Sequence, residues 1–200
     1  KALCVATDIA KKADCQHLAE VALAEFGRLD VLVNVAGILQ FKDFRLTTLE
    51  DFNRIIGVNL TGTFLTFREA LRKMPAKGRL IAIASTASLK GGANIAAYAA
   101  AKHGVLGLVR SLAQEVAKRD LTCNAICPGF VETEMAETAI AGVMARFNVD
   151  RERATKMVIS GNPQARLIDP SEVAAAALWL ASDAAKSVNG HALSLSGGEI

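Results

Sequence analysis

Apolar residues gather in short runs, Leu3–Ala6, Leu29–Val35, Leu80–Ala84, Leu121–Cys127 and Ala192–Leu195, separated by longer stretches with helical spacing. The spacing predicts helices near 11–26, 48–73, 96–118 and 171–182. The three middle runs are apolar at successive positions, the pattern of strands covered by helices on both faces. Strand alternating with helix predicts a parallel sheet in an α/β fold. Asp169-Pro170-Ser171-Glu172 carries an N-cap acid, a proline at the first helical position and a glutamate placed to reach back. Thr47 with Glu50 offers a similar box before the second helix. Without repeats, low-complexity tracts or linkers, residues 1–200 read as one domain.

Composition narrows the classes. Hydrophobic residues make up 52% and charged residues 22% of the 200, which excludes intrinsic disorder. No apolar run approaches the ~18 residues of a membrane span. The net charge is +3 with scattered lysines and arginines, so nucleic acid and anionic membrane are not the expected partners; a small molecule is. Cys4, Cys15, Cys123 and Cys127 form no disulfide framework, and no histidine stands near Cys123 and Cys127 to suggest a metal site. They read as small buried residues in a reducing compartment, so a cytoplasmic protein is expected. The chain starts at Lys1 and runs straight into an apolar segment, so the absence of a signal says little about targeting.

In an open parallel sheet, ligands bind outside the carboxyl ends of the strands. Those ends carry Thr7-Asp8-Ile9, Asn34-Val35-Ala36-Gly37, Ser85-Thr86-Ala87-Ser88, and Pro128-Gly129 with Thr133 beyond. Small residues admit a flat ligand to the backbone, and short polar side chains give it partners. Tyr98 is the only tyrosine, and Lys102 follows it at i+4, on one face of a predicted helix. An ammonium one turn away favours the phenolate and would lower the phenol pKa from its usual value near 10. Such a phenol can act as a general acid/base.

These residues resemble the short-chain dehydrogenase/reductase family. Tyr98-Ala99-Ala100-Ala101-Lys102, with Ser85 thirteen residues upstream, is similar to its active site. Asn34-Val35-Ala36-Gly37 resembles its Asn-Asn-Ala-Gly strand end, and Asn59 matches the asparagine of its catalytic tetrad. Asn124–Gly129 followed by Thr133, and Gly190–Gly198, resemble its Pro-Gly segment and C-terminal strand.

The resemblance implies a Rossmann-like, doubly wound parallel sheet in three α/β/α layers. It further implies an NAD(P)-dependent oxidoreductase that interconverts a secondary alcohol and a ketone. Tyr98 would be the general acid/base. Lys102 would lower its pKa and bind the nicotinamide ribose, Ser85 would position the substrate oxygen, and Asn59 would break its helix and hold a relay water. Asp8 and Ile9 would contact the adenine. Asn34, Ala36, Gly37 and Val58 would line the cofactor groove, with Pro128, Gly129, Val131 and Thr133 at the nicotinamide end. Ser88, ten residues from Tyr98, is the competing hydroxyl.

Val35 replaces the family's second asparagine, and Ser196 stands where an aspartate often precedes the last glycines. The chain resembles the family from its third strand onward. The glycine-rich phosphate loop and the residue that selects NAD or NADP are therefore expected to lie outside it, on the order of fifty residues. Residues 134–167 resemble the substrate lid, and their mix of apolar residues and arginines suits an acyl thioester; the general look is that of the 3-oxoacyl reductases. Apolar positions on more than one face of 48–73 and 96–118 predict a homodimer or homotetramer. The alternative is a non-catalytic fragment or binding protein that keeps the fold without tight cofactor binding. A lyase or isomerase on a related scaffold is a third reading, which Ser85, Tyr98 and Lys102 together disfavour.

Overall fold

Strands β1 (Val31–Asn34), β2 (Lys77–Ile83), β3 (Asp120–Pro128) and β4 (Ala192–Leu195) form one parallel sheet in the order β1-β2-β3-β4, in a computed structural model that describes residues 1–200. The helices are α1 (Lys12–Phe26), α2 (Leu49–Ile56), α3 (Gly62–Lys73), α4 (Ala96–Val116), α5 (Glu134–Phe147), α6 (Arg151–Val158) and α7 (Pro170–Ala181). No helix is long and apolar enough to cross a membrane.

Strand pleating sorts the core into two layers. Leu80, Ala82 and Ala84 of β2 and its following turn, with Leu121, Cys123, Ala125 and Cys127 of β3, face α3 and α4. There they meet Phe67, Val105, Leu106 and Val109. Ile81 and Ile126 point the other way, onto Leu180 of α7. The two strand cysteines are thus packing residues, free and buried. Val105, Leu106 and Val109 lie inside this core, whereas Phe64 of α3 stays exposed.

Three expectations are corrected. Leu3–Ala6 forms no strand, because no strand of the sheet lies beside it to accept its backbone hydrogen bonds. β1 is not covered on both faces: Leu32 and Asn34 face α3, but Val31, Val33 and Val35 are exposed, since α7 packs mainly on β2 and β3. The cap of α2 is shifted by one residue. Thr48 and Asp51 form the reciprocal box, and the Thr47 hydroxyl instead donates to the Asp43 carbonyl. The Asp169–Glu172 box forms as its sequence requires, with Pro170 as the first residue of α7.

The predicted helix 48–73 is interrupted at Gly57–Thr61 by one π-helical turn, with Asn59 at its centre. Such a bulge frees and re-aims backbone groups and is common at functional sites. Residues 134–167 contain the helical pair α5 and α6.

Candidate active site

The site lies at the carboxyl edge of the sheet, where α4 brings Tyr98 and Lys102 beneath the loop that follows β2. Ala101, buried, and Ala97, partly buried, pack there with Ile55 and Ala87, while Ala96 and Ala100 are exposed. Tyr98 is 8% exposed and Lys102 4%. The Lys102 ammonium donates to the Ile83 carbonyl at 2.9 Å, at the end of β2, and lies 5.7 Å from the centre of the Tyr98 ring. Two residues beyond Ile83, Ser85 caps a short 3-10 turn, its hydroxyl accepting from the Ala87 amide at 3.1 Å. Ser85 is only partly buried and stands beside the phenol, whereas Ser88 is 2% exposed and turns inward. Geometry therefore favours Ser85 as the hydroxyl that a ligand can reach.

The electrostatics differ from expectation. Burial pushes the Tyr98 phenol above its ordinary value, and the Ser85 hydroxyl pulls it partly back. Burial is the dominant cause, although the Lys102 nitrogen, bonded to the Ile83 carbonyl, sits beside the ring. Burial also pushes Lys102 down to about 8. At neutral pH the phenol keeps its proton, and the site holds a proton donor rather than a phenolate.

That depressed lysine makes stability depend on pH. The unfolded lysine holds its proton to about 10.4, whereas the folded one releases it near 8, so between those values the unfolded chain binds more protons. The Lys102 contribution to stability therefore rises as pH increases through that window. In urea unfolding between pH 7.5 and 10, wild type gains on Lys102→Met; a constant gap would show that Lys102 titrates normally.

Asn59 is 1% exposed and fully engaged. Its amide nitrogen donates to the Ile38 and Ile55 carbonyls at 2.9 and 3.0 Å, and its side-chain oxygen accepts from the Ile38 amide at 3.2 Å. Its side chain thus fixes the loop after β1, and its main-chain carbonyl accepts from the Thr63 hydroxyl at 2.7 Å, so no side-chain atom is left over for a relay water. Gly37 belongs to the same contact: a Cβ there would come 2.8 Å from the Asn59 oxygen and 3.5 Å from the Lys102 nitrogen.

Asn34 does not open onto the groove. Its side chain donates to Thr63 at 2.8 Å and accepts from Thr66 at 3.3 Å, tying β1 to α3. Ala36 is exposed, and Gly37 and Val58 are half-buried nearby. Asp8 lies exposed ahead of α1, its carboxylate accepting from the Ala10 amide, with Ile9 half-buried beside it. Pro128 is buried; Gly129 donates to the Leu195 carbonyl, Val131 bridges Ile168, and Thr133 opens α5 with no side-chain cap bond. Sequence reasoning missed Ile83, whose carbonyl anchors Lys102, and no side-chain signal could have marked it.

A dinucleotide fits these residues at its nicotinamide end. Lys102 has three donors and a single protein acceptor within bonding distance, and the space beside it stays open because residue 37 lacks a side chain. A buried ammonium with donors to spare is suited to the hydroxyls of a ribose.

Comparison with known proteins agrees with this geometry. A family model described as enoyl-(acyl carrier protein) reductase matches residues 1–199. The chain is 36% identical over 194 residues to a D-beta-hydroxybutyrate dehydrogenase of Cupriavidus necator, covering 96% of this chain and 75% of that protein. It is 37% identical over 193 residues to the 3-oxoacyl-acyl-carrier-protein reductase FabG of Salmonella typhimurium, with coverage of 96% and 75%. A crystal structure of a variant actinorhodin polyketide ketoreductase with NADPH superposes with a TM-score of 0.91 at 32% identity, covering 96% of this chain and 76% of that one. A matching family model over nearly the whole chain, relatives above one-third identity and a shared fold place this chain in the short-chain dehydrogenase/reductase family, NAD(P)-dependent oxidoreductases acting on alcohols and ketones.

Proposed function

We propose that this chain carries the catalytic part of a ketoreductase in which Tyr98 is the proton donor, Ser85 positions the substrate oxygen and Lys102 holds the ribose of NAD or NADP. The observation that carries the reading is the buried phenol beside an accessible serine hydroxyl and a lysine with unused donors. When bound, the nicotinamide supplies hydride to the substrate carbon or takes it away. Ser85 and Tyr98 meet the carbonyl oxygen from the protein side, fixing its position and delivering a proton as it becomes an alkoxide. Asn59 keeps the loop at Gly37 and Ile38 in place around them. Ala36, Gly37 and Val58 line the groove, Asp8 and Ile9 stand toward the adenine end, and Asn34 contributes its main chain. Pro128, Gly129, Val131 and Thr133 close over the nicotinamide end.

The substrate we favour is a 3-oxoacyl thioester. Phe41 and Phe44, 52% and 74% exposed, stand after β1, and Met135 and Phe147 of α5 are also exposed. Arg45, hydrogen-bonded to Asp43, and more weakly Arg146 of α5 hold the Asp43 carboxyl below its usual range. An acyl chain lying between them would bury this apolar surface. FabG of Salmonella typhimurium and the actinorhodin ketoreductase, by their names, act on related chemistry. Two or four copies would assemble through the outer faces of α3 and α4, where Phe64 is exposed.

The test is a fluorescence titration of the protein with NADH and NADPH, followed by assays with acetoacetyl-CoA and simple ketones. One dinucleotide should bind and be oxidised by the thioester. Failure of both to bind would favour the binding-protein reading, and oxidation by simple ketones alone would overturn the thioester assignment.

A further inference from the structure

Glu199 sits where three walls of the site converge, although it lies beyond the glycine pair and carries no family motif. Its carboxylate is paired with Lys90 at 2.7 Å, and its side chain is 16% exposed. Lys90 continues the turn that begins at Ser85, its amide bonded to the Thr86 carbonyl. The other carboxylate contacts are with glycines: a Cβ on Gly129 would come 3.2 Å from one oxygen, and a Cβ on Gly161 2.8 Å from the other. Gly129 belongs to the Pro-Gly segment, and Gly161 to the turn that closes α6. That turn is held by Asn162, which bonds the Arg166 carbonyl and the Gln164 amide. One carboxylate therefore touches the serine loop, the Pro-Gly segment and the end of the lid. Both glycine positions leave room for it.

We propose that the Lys90–Glu199 pair is a positioning latch that fixes the serine loop against the Pro-Gly segment and the lid, and so sets how tightly the substrate is held. Its catalytic meaning rests on the ketoreductase reading, but its mechanical meaning does not. Neither residue reaches Tyr98, so the latch acts through the segments it joins and leaves the proton-transfer step unchanged.

Three variants test this: Lys90→Met and Glu199→Gln break the pair, and Lys90→Arg keeps it. Amide hydrogen exchange is measured first because it needs no turnover. Both breaking variants should exchange about two- to five-fold faster at 128–133 and 160–164, the scale of a partly exposed ion pair, while α3 and Lys90→Arg stay at wild-type rates. KM for acetoacetyl-CoA should rise by a similar factor with kcat within two-fold. Added salt should raise KM in wild type but not in Lys90→Met. Unchanged exchange at both segments in both breaking variants, or equal acceleration in α3, overturns the latch. Faster exchange in protein that does not turn over acetoacetyl-CoA sustains the latch and removes the ketoreductase reading instead.

Discussion

Tyr98→Phe turns over ketone substrate at least about 100-fold more slowly than wild type while binding dinucleotide within a few fold, because only the proton-transfer group is lost. The ring is kept, so the packing against Ile55, Ala87 and Ala101 survives. Lys102 keeps its bond to the Ile83 carbonyl and its donors toward the ribose. Ser85 can still hold the carbonyl but has no comparable acid behind it. The raised phenol pKa adds a second expectation. Reduction should be nearly flat across neutral pH and fall only in alkali, as the proton to be donated is lost. Alcohol oxidation should rise with pH over the same range. Steady-state kinetics with a parallel dinucleotide titration decide the matter, and turnover within ten-fold of wild type would remove Tyr98 from the mechanism.

Phe67→Ala is the substitution expected to harm the fold most. Phe67 is 1% exposed and is the largest fully buried side chain. It joins α3 to α4 and the sheet through the cluster that contains Leu80, Val105 and Val109. Truncation removes its burial and leaves a cavity between elements that cannot collapse together, at a cost of about 3–5 kcal/mol. For a chain of this size the midpoint of thermal unfolding should drop by roughly 10 °C. A shift of less than about 2 °C would mean that this layer can repack. Phe64, three residues earlier but exposed, should tolerate the same change in the isolated chain.

Tyr98 and Lys102 were legible because a spacing of four on a helix is a local property, needing nothing from the rest of the molecule. Ser85 was legible by its place after an apolar run and, through the family resemblance, by its distance from Tyr98. The helix starts were less certain: Thr47 and Thr48 both offer a hydroxyl with an acid three residues on, and only the path of the loop from Asp43 chose between them. Asn34 was read as a groove residue, yet its partners, Thr63 and Thr66, lie about thirty positions along the chain and left no local trace.

The sequence by itself determined the alternation of strands and helices and the placing of Tyr98 and Lys102 on one helix face. These follow from the periodicity of apolar runs and from the 3.6-residue helical turn, which any segment displays in isolation, whereas Asn59 was marked by the family resemblance. Tertiary structure alone decided that β1 keeps one face open, that Leu3–Ala6 finds no sheet partner, and that burial, rather than the neighbouring ammonium, governs Tyr98. Solvent exclusion and hydrogen-bond pairing depend on what arrives from distant parts of the chain, which no local spacing displays.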